Sequence, residues 1–214
     1  MQALVLDFGG PVLKTPFELL RAGEERAGLA PGALNWTGPF DPESDADWQA
    51  MQAFEITERT YWQRKADHFA ELTGAKPTFK ALMDVLFDID EELLVRPEAL
   101  RLIADARAAG FRIAVLTNDM RAFHGDAWVA RMRVLDQVDV LVDGSVEHVL
   151  KPHPEIYLLL LERLELSAGE CLFLDDQPLN IAGAETVGMN TVWFDVLHPV
   201  ESYAAVRQIL GLVG

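Results

Sequence analysis

Three apolar runs in this chain each stop at residues able to do chemistry. Ala3–Leu6 ends at Asp7, residues 111–116 end at Thr117-Asn118-Asp119, and residues 170–174 end at Asp175-Asp176. A short apolar run without alternation reads as a strand buried on both faces. An acid at the carboxyl end of such a strand stands where open α/β sheets place ligands. Asp7, followed by Gly9, Gly10 and Pro11, reads equally well as an aspartate that caps a turn. Thr117-Asn118 can likewise be a helix cap, Lys151 a solvated lysine and Asp175-Asp176 a charged turn. Their repetition favours chemistry. If the strands are parallel with right-handed crossovers, these distant residues converge on one sheet edge.

The elements that would position them alternate. From residue 96 onward the pattern predicts helix 97–109, strand 111–116, mostly helix over 121–134, strand 138–142 and helix 155–164, opened by Lys151-Pro152-His153-Pro154. Strand 170–174, helix 179–187, strand 191–194 and helix 201–210 follow. Between residues 14 and 95 no strand is expected. Helices are predicted at 17–26, at 44–54 with Ser44 as N-cap, at 57–72 and at 78–87, with a Pro- and Gly-marked loop over 30–42. Alternating strands and helices imply a parallel sheet covered on both faces. The expected class is α/β: a Rossmann-like, doubly wound parallel sheet with an inserted α-helical cap domain. The core would comprise residues 1–13 and 96–214, and the cap residues 14–95.

Composition narrows the partners. Of 214 residues, 18 are Lys or Arg and 34 Asp or Glu, a net charge of −16 with no basic stripe, which argues against nucleic acid. An anionic substrate would need a metal ion or a placed lysine against that field. The single cysteine, Cys171, excludes an internal disulfide and reads as a small buried hydrophobe. No apolar run approaches the ~20 residues that span a bilayer. With no basic leader before Asp7, the chain does not read as a secreted one. A cytoplasmic protein without a membrane partner is expected.

In this order, the motifs resemble those of the haloacid dehalogenase-like hydrolases, over the whole chain. The family's first motif, Asp-x-Asp-Gly-Thr after an apolar strand, is here Asp7-Phe8-Gly9-Gly10-Pro11. The second, a Ser or Thr ending a strand, is Thr117. The third, a lysine often followed by proline at a helix start, is Lys151-Pro152. The fourth, paired acids with an Asn or Asp a few residues on, is Asp175-Asp176-Gln177-Pro178-Leu179-Asn180. A helical insert between the first two motifs resembles the small helical cap of one large subgroup.

The resemblance implies a mechanism. Asp7 would be the nucleophile and form a covalent intermediate. Mg²⁺ would be held by Asp7, Asp176 and the Gly9 carbonyl, with Asp175 acting through water. Lys151 would face Asp7 and the transferring phosphoryl group. Thr117 and the amides of Asn118 and of the turn Phe8, Gly9 and Gly10 would donate to phosphoryl oxygens. Asn180 would orient Lys151 or Asp175, or only lie in the next helix's first turn. The substrate would be a small phosphorylated metabolite. A homodimer formed through the cap is compatible with the sequence, which carries no signature for it.

The chain departs from the pattern at Gly9, where the family's phosphatases carry a second Asp as general acid–base, a loss worth ~10²–10⁴-fold. Asp-Phe-Gly-Gly variants resemble the phosphatase domain found beside epoxide hydrolases. Two alternatives stay open. One is a 2-haloacid dehalogenase, whose family also lacks that Asp; Lys151 and Tyr157 fit it, but paired acids without a cation do not. The other is a phosphatase-like binding protein with poor turnover.

Specificity is expected from Trp36, Trp48, Arg59, Trp62, Arg64 and the loop 119–124, with His124 able to reach the site. Trp62 and Phe69, a heptad apart, read as cap core. His153 is expected to help start its helix. His68, His148 and His198 show no zinc spacing.

Overall fold

A computed structural model describes residues 1–212; the last two residues of the expected core segment, 213–214, lie outside the described range. The chain forms two compact units. The sheet unit comprises residues 1–14, 91–121 and 125–214, and the helical unit residues 15–90 and 122–124.

The sheet has five parallel strands: β1 (Ala3–Leu6), β2 (Arg112–Thr117), β3 (Val140–Asp143), β4 (Cys171–Asp175) and β5 (Asn190–Trp193), in the order β3-β2-β1-β4-β5. Every residue of β1 is buried, as expected for the central strand of a sheet covered on both faces. From β1 the chain builds outward through β2 and β3, then crosses back to β4 and β5. The order therefore reverses between β1 and β4, which is the crevice where sheets of this kind bind ligands.

Helices follow from their own signals. Among those of the sheet unit are α6 (Pro97–Ala108), with Pro97 at its first position, α10 (Pro154–Leu164) and α11 (Pro178–Thr186), each also opened by proline, and the closing α12 (Pro199–Leu210). Ile156, Tyr157, Leu160 and Leu164 of α10 pack with Ala3, Val5, Ala114 and Phe173 in one core layer, and Cys171 lies within it as a free thiol, the small hydrophobe expected. His153 caps α10 by accepting the Glu155 amide.

The helical unit holds α1 (Pro16–Ala27), α2 (Ala46–Gln52), α3 (Glu58–Thr73) and α4 (Phe79–Phe87). Two local expectations need correction. The N-cap of α2 is Asp45, not Ser44, because Ser44 ends a 3₁₀ turn while the Asp45 side chain accepts the Trp48 amide. The helix expected over 121–134 is broken: Gly125, at φ +80°, separates α7 (Met120–His124) from α8 (Asp126–Arg131), and a 3₁₀ turn, Arg133–Gln137, follows. Among the described residues, no helix is long and apolar enough to cross a membrane.

Candidate active site

Parallel strands bring the motif residues to one sheet edge. Asp7 lies one residue beyond β1, and its amide extends the ladder to the Leu174 carbonyl at 2.8 Å. Thr117 closes β2 and Asp175 closes β4. Asp7, Asp175 and Asp176 each present a carboxylate oxygen within 4.8 Å of one another's.

Lys151 stands among them, on the connection three residues before α10 rather than on the helix. Its Nζ donates to Asp7 Oδ1 at 2.7 Å, Asp175 Oδ2 at 2.6 Å and the Leu116 carbonyl at 2.9 Å. An ammonium has three hydrogens, and all three are engaged. Asn118 fixes the lysine's backbone: its Oδ1 accepts the Lys151 amide at 2.7 Å and its Nδ2 donates to the Lys151 carbonyl at 3.2 Å. This use of the Asn118 side chain had no signal in the linear sequence. Asn180, in the first turn of α11, donates to both oxygens of Asp175 at 3.1 Å. The Gln177 amide binds Asp175 Oδ1 at 2.8 Å. Asp175 is thus fully buried and fully engaged, while Asp176 is only partly buried.

The turn after Asp7 explains its glycines differently. Gly10 has φ +81°, and a Cβ there would sit 3.0 Å from Asp176 Cγ, so backbone passes close against the acid. At Gly9 a Cβ would meet only Asp7 Oδ2, at 3.7 Å. A Cβ at position 9 would therefore make only an ordinary van der Waals contact.

Burial raises the Asp7 pKa to about 7; the charge of Asp175 adds to this, while Lys151 opposes it. Burial works against the Lys151 charge, but Asp175 and Asp7 outweigh it and hold its pKa above the ordinary lysine value. Three acids against one lysine leave a formal excess of two negative charges at the cluster. A hard divalent cation with oxygen ligands fits that excess and that donor set.

Asp143, missed by the sequence reading, closes β3 and is buried. It accepts the amides of Arg121 and Ser145, at 2.8 and 3.0 Å, which anchors the loop that follows Thr117. An acid after an apolar run, before Gly144-Ser145, was its only signal.

Most of the expected specificity residues belong to the helical unit's own packing. Trp48 and Trp62 are buried with Phe17 and Tyr61 in one aromatic cluster, and Phe69 is buried, as the cap-core reading expected. Trp36 is buried and donates to His68 Nδ1 at 2.9 Å. Arg64 is exposed and pairs with Asp47, and Arg59 is exposed. His124 lies in the helical unit with its ring edge-on to Phe87, centroids 4.8 Å apart.

The family model of the haloacid dehalogenase-like hydrolases matches residues 1–188. Acyl-CoA dehydrogenase family member 10 of Mus musculus is 34% identical over the whole chain, which spans only 19% of that protein. Protein CbbY, plasmid, of Cupriavidus necator is 31% identical, over 90% of this chain and 77% of its own. Relatives of two named activities also match. (S)-2-haloacid dehalogenase 1 of Pseudomonas sp. is 24% identical over 97% of this chain and 90% of its own. Ribulose-1,5-bisphosphate 5-phosphatase of Halopiger xanaduensis is 32% identical over 49% and 44%. The magnesium-bound crystal structure of YfnB from Bacillus subtilis superposes over 98% of both chains, with a TM-score of 0.72 at 16% identity, a likeness of fold. A family match of that extent, on a parallel sheet of this order, makes the chain a member of the haloacid dehalogenase-like hydrolases.

Proposed function

We propose that this hydrolase is a Mg²⁺-dependent phosphatase of a small phosphorylated metabolite, working through an aspartyl-phosphate at Asp7. The observation that carries the reading is the acidic cluster itself: Asp7, Asp175 and Asp176 converge within 4.8 Å, and a single ammonium bridges the first two. Asp7, Asp176 and the Gly9 carbonyl would hold Mg²⁺, with Asp175 reaching it through water. The bound ion would supply the positive charge that lets a phosphate dianion approach carboxylates.

This chain's residues do the rest. Lys151 occupies Asp7 Oδ1, favours its ionised form against the burial that raises its pKa, and orients it, which leaves Oδ2 to attack phosphorus. With its hydrogens engaged, the lysine acts on the phosphoryl group through its charge. The Thr117 hydroxyl and the amides of Asn118 and of Phe8 to Gly10 are the donors for phosphoryl oxygens. As the bond from Asp7 to phosphorus forms, the ester P–O bond breaks and the leaving oxygen takes a proton from water, since Gly9 offers no acid. Water then attacks phosphorus, the P–O bond to Asp7 breaks, and inorganic phosphate leaves with Asp7 restored. In the same reading residues 14–95 act as the cap that selects the substrate.

Release of phosphate from an aryl phosphate, with Mg²⁺ and with chelator, tests this. An activated leaving group needs little protonation, so the absence of an acid at position 9 matters least there. Release that needs Mg²⁺ and is lost in Asp7→Asn and Lys151→Ala supports the reading; undiminished release by Asp7→Asn would end it. The second reading, a 2-haloacid dehalogenase, draws on Gly9 and on a dehalogenase relative that matches nearly the whole chain. Halide release from a 2-haloacid without metal would favour it.

A further inference from the structure

The turn that carries Asp7 is held from behind. The Gly10 carbonyl accepts from Arg96 Nε at 2.6 Å, and the Pro11 carbonyl from the Tyr203 hydroxyl at 2.8 Å. Arg96 and Tyr203 are both buried, and a charge is costly to bury unless it is well engaged. Both pack on Phe194. The guanidinium carbon of Arg96 lies 5.5 Å from that ring's centroid, and the Tyr203 ring meets it edge-on at 5.1 Å. Phe194, itself fully buried, directly follows β5, and its amide donates to the Asp175 carbonyl at 2.9 Å. Arg96 is seated beside the turn by its own amide, which binds the Val12 carbonyl at 2.9 Å. A continuous set of contacts therefore runs from the Asp7 turn to the end of β4. The Gly10 backbone lies close against Asp176, since a Cβ built there would fall 3.0 Å from Asp176 Cγ. A displacement of the turn at Gly10 therefore moves backbone against Asp176.

We propose that Arg96 is a positioning residue of the acidic centre: through the Gly10 carbonyl, with Phe194 and Tyr203 behind it, it sets the Asp7 turn against Asp175 and Asp176. Its consequence for Mg²⁺ rests on the phosphatase reading; its hold on the turn does not. Loss of a partner that orients ligands typically weakens metal binding or activity about 10–100-fold.

The test combines amide hydrogen exchange of the metal-free protein with Mg²⁺ titration by calorimetry, on the wild type, Arg96→Met, Arg96→Lys and Tyr203→Phe. In Arg96→Met, exchange should quicken in peptides covering residues 8–13 and stay unchanged in α10. The Kd for Mg²⁺ should rise about 10–100-fold, with kcat for an aryl phosphate falling and KM held. Arg96→Lys should recover part of each loss, and Tyr203→Phe should show a smaller loss at the same turn. Unchanged exchange over residues 8–13 in Arg96→Met, or equal acceleration throughout the sheet unit, would overturn the proposal. If Arg96→Met does not fold, unchanged exchange and Mg²⁺ affinity in Tyr203→Phe would overturn it instead. A wild type that binds no Mg²⁺ would end the phosphatase reading, while exchange at the turn still decides the role of Arg96.

Discussion

Each unit of the molecule buries an aspartate beside a lysine, and the two sites differ in how the charge is met. In the helical unit Asp45 accepts from the Tyr61 hydroxyl at 2.8 Å, the Trp48 amide at 3.0 Å, Lys65 Nζ at 3.1 Å and the Gly38 amide at 3.3 Å. Burial alone would raise its pKa, but these donors outweigh it and hold the carboxyl below the usual aspartate range. In the sheet unit Asp7 shares its lysine with Asp175, Asp176 stands close by, and the Asp7 pKa rises to about 7. One aspartate is a satisfied structural anchor. The other shares one ammonium with a second buried carboxylate, and the like charge of Asp175 adds to the burial that raises its pKa. Burial beside a lysine does not by itself mark a functional aspartate; the second carboxylate on the same ammonium and the raised pKa are what set the candidate site apart.

The largest expected effect separates the two on activity. Asp7→Asn should lower phosphate release by roughly 10⁴-fold or more, while Asp45→Asn leaves the kcat of the folded protein within a few-fold. On stability the order reverses. Asp45→Ala leaves Lys65 buried without its main partner and should cost about 3–5 kcal/mol in urea unfolding. A cost near zero would show that Lys65 turns to Asp47, which lies 3.5 Å away.

Placing an acid at position 9 should sharpen the contrast. Gly9→Asp is expected to raise kcat for an alkyl phosphate by about 10–100-fold and to change an aryl phosphate little, since general acid catalysis matters most for poor leaving groups. Equal rates on both esters would place the limiting step elsewhere.

The two aspartates should also titrate in opposite senses. On the phosphatase reading Asp7 must lose its proton to hold Mg²⁺, so Mg²⁺ affinity should rise about tenfold per pH unit up to about 7, then level off. For the metal-free protein, a raised Asp7 pKa means the folded state binds the proton more tightly. Stability should therefore fall as pH rises from about 4 to 7, and Asp7→Asn should remove that fall. The depressed pKa of Asp45 acts the other way. Its contribution is present above the ~3.9 of a free aspartate and is lost as pH falls through the folded value. Asp45→Asn should flatten the acid limb of a thermal-unfolding series below about pH 4.

Reading the sequence went furthest where chemistry and local pattern coincide. Asp7, Thr117, Lys151 and Asp175-Asp176 were legible because each follows an apolar strand or stands just before a helix, and parallel strands bring such ends to one edge. Gly125 and Asp45 show the limit within a single stretch. A helical pattern over 121–134 does not reveal that its one glycine takes φ +80°, and an acidic run near a helix start does not reveal which side chain caps it. Neither periodicity nor spacing carries that information, because backbone sterics and competing donors decide it.

The sequence by itself determined the α/β class, the hydrolase family and the identity of the residues at the sheet edge, since strand burial and the order of motifs are local, one-dimensional signals. Only the tertiary structure decided which groups meet. Lys151 gives two of its hydrogens to Asp7 and Asp175, across separations of 144 and 24 residues. Asn118 clasps the Lys151 backbone, and Arg96 reaches Gly10 across 86 residues. Hydrogen bonds and desolvation depend on distance in space, and no linear pattern encodes which distant partner a buried charge will find.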